Sequence, residues 1–252
     1  MDNKRRGRKS GAIYVPIAVL LILFLTAFGI SAFLRVVEIE VTGASFYTQE
    51  EVARASGLAV GDNMILVDRA STERRIRATL PFVRDVRVGR AMPGTILIEI
   101  TESAPMAWVR YQQSVLIVDS AGRVLERVNT APEGLIEVIG LTIEEYEVGG
   151  MLTPAPGAEA RLGAMEAVLD AIENTGLTDG VSRINVTNVL DISFEYQRRF
   201  TVQVGNIEDI AHRMSQLPEF IDGIAEREPN HVTGSIDMSG RNDPRMRWIP
   251  NR

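Results

Sequence analysis

LPFVRDVRVGRAMPGTILIEITESAP, residues 80–105, is the stretch whose reading decides the fold. Leu80-Pro81 stops any preceding helix, because the proline ring disfavours helical geometry at the residue before it. Beyond it, Val86 and Val88 share one face of a first strand, and Ile96, Ile98 and Ile100 share one face of a second, across the Met92-Pro93-Gly94 turn. Upstream, RVVEIEVTG (35–43) sets Val37, Ile39 and Val41 against Val36, Glu38 and Glu40, the period-two pattern of a strand with one apolar face. A turn follows at Gly43. Thr48-Gln49-Glu50-Glu51 has the form of a capping box, in which the Thr48 hydroxyl accepts from the Glu51 N–H and the Glu51 carboxylate reaches back, so a short helix starts there and stops at Gly57. A second helix begins near Ser71 and ends before Pro81, with Ile76 and Leu80 turned inward together. The order is β-α-α-β-β.

Ahead of this unit lies a block of hydrocarbon. GAIYVPIAVLLILFLTAFGISAFL, residues 11–34, runs 24 residues without a charge between Lys9 and Arg35, and a helix needs ~20 residues to cross a bilayer core. A cleaved signal peptide, with a cleavage site near Ile30-Ser31-Ala32, competes with an anchor, but its apolar core normally runs only ~7–15 residues. The length therefore predicts a transmembrane helix over 11–34 that is retained. Five basic residues (Lys4, Arg5, Arg6, Arg8, Lys9) precede the block and Arg35 alone follows it closely. By the positive-inside rule the basic tail 1–10 is cytoplasmic and residues 35–252 lie outside. Pro16 falls in the first turns of the span, where its missing N–H does least harm.

Residues 109–252 read as a second body. SVLIVDSAGRVLERV (114–128) is a hairpin about Ser120-Ala121-Gly122, and LIEVIGL after Pro132 and Gly134 is another short strand. GGMLTPAPG (149–157) is the clearest loop in the chain. Leu162, Met165, Val168, Leu169 and Ile172 then mark the buried stripe of a helix that ends near Gly176. VSRINV, LDISFEY and RFTVQVG follow as strands, with Gln197-Arg198 as the tight turn between the last two. A second helix starts behind Asn206 with Ile207, Ile210, Met214 and Leu217 inward, and the chain closes with TGSIDMS and RMRW. The fold class is α+β: a membrane helix, a β-α-α-β-β unit, and a mostly antiparallel mixed sheet with covering helices.

The composition excludes several classes of function. The net charge is −6, and the first ten residues, with five basic side chains against Asp2, hold +4 of it, which leaves −10 for the rest. An acidic body of this kind has no footprint for phosphates. There is no cysteine, so neither disulfides nor thiolate metal sites are available. The two histidines, His212 and His231, stand nineteen residues apart without metal-ligand spacing, and both read as solvated. No nucleophile elbow, P-loop or dinucleotide glycine pattern occurs. Glu144-Glu145 reads as a solvated acidic loop, since adjacent helical residues do not face one another. Asn185-Val186-Thr187 satisfies the glycosylation pattern but falls inside a strand, and is set aside. No catalytic, cofactor or metal site is expected, and the chain does not read as an enzyme.

VVEIEVTGASFYTQEEVARASGLAVGDNMILVD, followed by LPFVRDVRVGRAMPGTILIEITESAPMAWV behind a single span, resembles the POTRA domain of the FtsQ/DivIB cell-division family over residues 36–108. The Gly61-Asp62-Asn63 turn, the Leu80-Pro81 stop, the Pro93-Gly94-Thr95 hairpin and the Glu102 to Pro105 exit stand where that family has them. Ser103 departs from it, because the family often carries Arg beside the Glu. GSIDMSGRNDPRMRWIP (234–250) is similar to the end of the family's extracytoplasmic regions, with Ile236, Asp237, Met238 and Trp248 matching and Ser239-Gly240 in place of an Arg-Tyr pair. The resemblance implies a bitopic scaffold of the division complex at the septum that coordinates septal peptidoglycan synthesis. It implies that FtsB/DivIC-like and FtsL-like membrane-anchored partners bind it, with the wall synthase engaged indirectly. It also implies that an exposed edge strand over 232–240 takes a partner's strand, with Ile236, Asp237, Met238, Ser239, Gly240, Arg247 and Trp248 at the contact. Trp248 reads equally as an anchor for the partner or as a cover for the sheet; the POTRA sheet, with an unpaired edge strand and an open face, reads as a docking module, with a stable spacer whose edges are blunted as the alternative. A POTRA protein of transport or outer-membrane assembly is the alternative; it would call for repeated POTRA units or a barrel of alternating strands, and neither is in the sequence.

Overall fold

The computed structural model describes residues 11–227, 233–240 and 246–250; the basic tail 1–10 and His231 lie outside them. The chain divides into two compact units, one formed by the residues up to Thr79 with Asp85–Glu102, the other by Leu80–Arg84 with everything from Ser103 onward. Helix α1, Gly11–Phe33, takes in all but the last residue of the apolar block. Its side chains described without a break, Tyr14 to Thr26, are all exposed. Among the described residues no helix is long and apolar enough to cross a membrane.

The β-α-α-β-β unit follows: β1 (Glu38–Thr42), α2 (Gln49–Ser56), α3 (Arg69–Thr79), β2 (Val83–Ala91) and β3 (Thr95–Glu102). The strand order is β1-β3-β2, with β1 parallel to β3 and Ile39 opposite Ile96, Val41 opposite Ile98. Val52, Ile76, Val86, Val88, Ile96 and Ile98 are buried. The capping box forms as expected. Thr48 accepts from the Glu51 N–H, and the Glu51 carboxylate accepts from the Thr48 N–H, a bond that holds its pKa below the usual carboxylate value. Helix α3 starts at Arg69, two residues before Ser71, where the Asp68 carboxylate accepts the Ser71 N–H of the first turn. At the far end, the Glu102 carboxylate accepts three successive backbone N–H groups, those of Ser45, Phe46 and Tyr47, at 2.8, 2.7 and 3.0 Å. It fastens the end of β3 to the loop ahead of α2.

One facing in this unit differs from the expected alternation. Val37 is exposed, at 69%, and Val36 is buried, at 1%. Both precede β1, and both are held by loops: the Val36 N–H donates to the Asp62 carbonyl and the Val37 N–H to that of Gly94. The period-two rule applies only once the ladder starts at Glu38.

The second unit is built on one nine-stranded sheet. Its elements are β4 (Ala107–Tyr111), β5 (Ser114–Val118), β6 (Val124–Val128), β7 (Ile136–Ile139), β8 (Ile143–Glu145), β9 (Thr153–Pro154), α4 (Glu159–Thr175), β10 (Val181–Asn185), β11 (Ile192–Tyr196), β12 (Phe200–Gly205), α5 (Ile210–Arg227), β13 (Gly234–Asp237) and β14 (Arg247–Pro250). The sheet runs β14-β13-β12-β11-β10-β7-β4-β5-β6. Hairpins give the antiparallel pairs. The parallel pairs β7/β10 and β12/β13 are spanned by α4 and α5, because a parallel neighbour needs a crossover long enough to return the chain to its starting end. Met165, Val168, Leu169 and Ile172 of α4, and Met214 and Leu217 of α5, are buried in one apolar cluster with the strands. The tight turn at Gln197-Arg198 places both residues at positive φ, 54° and 55°, which matches the right-handed twist of the strands it joins.

Four expectations are corrected here. The boundary between 108 and 109 cuts through β4, an internal strand between β7 and β5, and the break between the units falls earlier, at Glu102/Ser103. Ile207 is exposed, since α5 begins only at Ile210, after Asp209 at φ 51°, and Ile207 is outside the helical period. Glu144 and Glu145 are exposed but end β8 rather than a loop. Within the Gly- and Pro-rich 149–157 stretch, Thr153–Pro154 pairs with β8.

Ser103, the departure from the family pattern, is buried and donates to the buried Asp119 carboxylate at 2.6 Å. The other Asp119 oxygen accepts the Ala121 and Arg123 N–H groups. Glu166 of α4 lies over this turn, with a carboxylate oxygen 3.1 Å from where a Cβ on Gly122 would stand. Burial first, and the Asp119 charge second, push its pKa above the usual 4.5. A carboxyl whose folded pKa is raised contributes stability that is complete below its unfolded value and lost as the pH climbs through the folded one. Glu166→Gln is thus expected to match the parent below pH 4.5 and to be the more stable protein near neutrality. Urea midpoints taken across the pH range check this, and a parent that equals the variant at neutral pH removes the effect.

Candidate partner-binding edge

Strand β13 lies parallel to β12, with Ile236 opposite Val202. Ile236 and Met238 are buried in the core, while Ser235 and Asp237 face the other side and are half-buried. The chain is held firmly past the strand. The Met238 N–H donates to the Gln203 carbonyl at 2.9 Å, and the Ser239 N–H to the Asp237 carboxylate at 2.9 Å. Gly240, exposed and at φ 68°, turns the chain away. Gly205 permits the close approach of Ser239, whose Cβ would lie 2.9 Å from any Cβ added there.

Arg213, on α5, organises this corner. Its guanidinium donates to four backbone carbonyls, those of Val204, Met238, Asn206 and Glu208. The bond to Met238 is 2.8 Å and those to Asn206 and Glu208 are 2.6 Å. Burial pulls its pKa down from the ordinary arginine value, while Asp209 and Glu208 oppose that shift; the group remains a cation. Sequence reasoning missed this residue. Arg in a helix reads as a solvated charge, and nothing in the pattern shows that the chain ahead of the helix folds back to bring the Val204, Asn206 and Glu208 carbonyls onto it, with that of Met238 from the strand beyond.

The structure brings all seven expected contact residues to one end of the sheet, but the expected edge over 232–240 is corrected. Residue 232 lies outside the described residues, and β13 starts at Gly234 with both sides occupied. Strand β14 pairs with it antiparallel, Ser235 opposite Ile249, Ile236 opposite Trp248, and Asp237 opposite Arg247. The edge is therefore β14. Trp248 is half-buried, with its ring 5.5 Å from that of Phe200 in an edge-on arrangement. It covers the sheet while sitting on the strand that forms the rim. Among the described residues no group of His, Asp or Glu side chains could hold a metal, and His212 is exposed on α5.

Residues 34–103 match the POTRA domain, FtsQ-type. A cell division protein FtsQ of Corynebacterium glutamicum is 30% identical over 191 residues, which cover 73% of this chain and 78% of that one. The chain belongs to the FtsQ/DivIB family of cell-division proteins. Cell division protein FtsQ of Streptomyces griseus is 31% identical over 222 residues, 85% of this chain and 97% of that one. Cell division protein DivIB of Brevibacillus brevis is 32% identical over 129 residues, about half of each chain. As a member of the FtsQ/DivIB family, the chain is a non-catalytic protein of the division machinery.

Proposed function

We propose that this chain is a bitopic scaffold of the divisome, with its N-terminus cytoplasmic, α1 as a single transmembrane anchor and residues 35–252 outside the membrane at the septum. The sheet end at β13–β14 then joins FtsB/DivIC-like and FtsL-like membrane-anchored partners and through them regulates septal wall synthesis. The observation that carries this reading is family membership over most of the chain's length. Three features support the details: a 23-residue uncharged helix, five basic residues ahead of it, and a sheet end at β13 and the short β14 where a partner's strand can join the ladder. The expected contact residues remain Ile236, Asp237, Met238, Ser239, Gly240, Arg247 and Trp248.

Depleting the protein in its own host is expected to give long aseptate cells, and a functional fluorescent fusion should gather at division sites. A protease added outside wall-stripped cells should digest the 35–252 body and spare an N-terminal tag. Normal division with the fusion spread evenly over the envelope would overturn the scaffold, and loss of the tag would overturn the orientation.

A further inference from the structure

We propose, resting on the strand-addition reading above, that β13 is a seat for an extended antiparallel segment carrying an aromatic residue opposite Ile236, and that β14 fills this seat in cis until such a partner strand replaces it. The seat is shaped for a ring. A Cβ on Gly234 would lie 2.1 Å from the Trp248 ring, so only glycine leaves room for an indole there. Phe200 of β12 forms the adjoining wall, edge-on to the Trp248 ring. The core-facing residues of β13 do not touch solvent, so the selecting contacts are the backbone ladder and this one aromatic position.

The occupant is weakly built compared with its seat. Strand β14 has four residues, its neighbour is β13 alone, and Arg247 and Ile249 are exposed. Pro250, opposite Gly234, brings no N–H to the ladder. Strand β13 is held independently on its other side by β12, and the Met238 carbonyl beyond its end is fixed by Arg213. When β14 leaves, the seat stays formed. A tethered strand competes at an effective concentration in the millimolar range. A displacing strand must therefore be longer and free of proline, or be concentrated beside the sheet by a membrane anchor of its own. The fold in this way selects an anchored partner over free extended chains.

The test uses disulfide capture, since the chain has no cysteine of its own. Ser235 and Ile249 are direct register partners on the face turned away from the core, where opposed Cα atoms are close enough to bridge. The full chain with Ser235→Cys, in detergent micelles, is mixed in a thiol–disulfide buffer with a fluorescent peptide of the Met246–Pro250 sequence bearing Ile249→Cys. The same chain ending at Gly240 is expected to capture at least tenfold more peptide than the full-length form, on the order of what releasing a tethered competitor gives. A peptide that also carries Trp248→Ala should be captured about thirtyfold less, the ratio a hot-spot aromatic carries. Should the shortened chain lose its fold, full-length protein with Trp248→Ala loosens β14 without removing a residue, and it too should capture more of the aromatic peptide than the parent. Equal capture by the occupied and freed chains overturns the proposal, as does capture indifferent to the aromatic or no capture at all. A chain that gathers at division sites yet fails here loses the seat alone, and one that captures the peptide but does not gather there loses the scaffold reading alone.

Discussion

Arg213→Met is expected to lower the stability of the second unit by about 3 kcal/mol and to free residues 238–240 from the sheet. Four carbonyls take bonds from this guanidinium, and bonds to a charged donor contribute ~1.5–3 kcal/mol each when fully desolvated. The sum is not realised, because the Glu208 bond is exposed and water replaces the donor there. The Val204 and Met238 carbonyls belong to buried residues, and a carbonyl left without a donor in such a place costs ~1–3 kcal/mol. Those two decide the magnitude. Arg213→Lys should recover less than half, since an ammonium is a compact point that cannot span four acceptors, as the planar fork does. Urea unfolding measures the loss. Amide exchange at Met238 and Ser239 separates it from a general weakening, because those amides should open before the rest of β13. A methionine variant within about 0.5 kcal/mol of the parent, the ordinary range of a surface change, would show that the guanidinium only decorates the corner.

What the sequence made legible, and what it did not, follows from how far each determinant reaches. The 80–105 hairpin, the Thr48–Glu51 capping box and the Gln197-Arg198 turn are set by neighbours within a few residues, and each stands where the pattern placed it. Val37 and Ile207 depart from the pattern because an apolar residue just outside an element follows the loop that holds it and not the period of the element. The parallel pairings β4/β7, β7/β10 and β12/β13 have no local signature. Strands of either sense show the same alternation, and only the length of the connection hints at the sense. The candidate edge failed for a related reason. TGSIDMS and RMRW were both readable as strands, but which of them lies outermost depends on the return of the chain. Gly234 is the residue that could have shown it: a glycine opening a strand interior often marks the close approach of another group, and here that group is Trp248.

Asp119→Ala is expected to cost about 3 kcal/mol, because one buried carboxylate satisfies three donors. Its oxygens accept the Ser103 hydroxyl at 2.6 Å and the Ala121 and Arg123 N–H groups at 3.0 and 2.9 Å, and Asp119 and Ser103 are both buried. Removing the acceptor strands all three donors, and each buried one left unmade costs ~1–3 kcal/mol unless the turn rearranges. The two N–H groups belong to a turn at the surface side of Asp119, where Ala121 is exposed, so solvent offsets part of their loss and the hydroxyl sets the floor. Ser103→Ala should cost less, about 1–2 kcal/mol, because it takes away one donor and leaves the carboxylate its two backbone bonds. The pair is therefore best measured as a cycle: with Asp119 already alanine, removing the hydroxyl should be nearly neutral or even favourable, which gives a coupling of about 1–2 kcal/mol. Additive costs in that cycle would mean that each residue acts alone and that the bond between them is incidental. A clear coupling would show that the Ser103 hydroxyl and the Asp119 carboxylate act as one unit, the hydroxyl meeting a carboxylate that is held in place by the turn it closes.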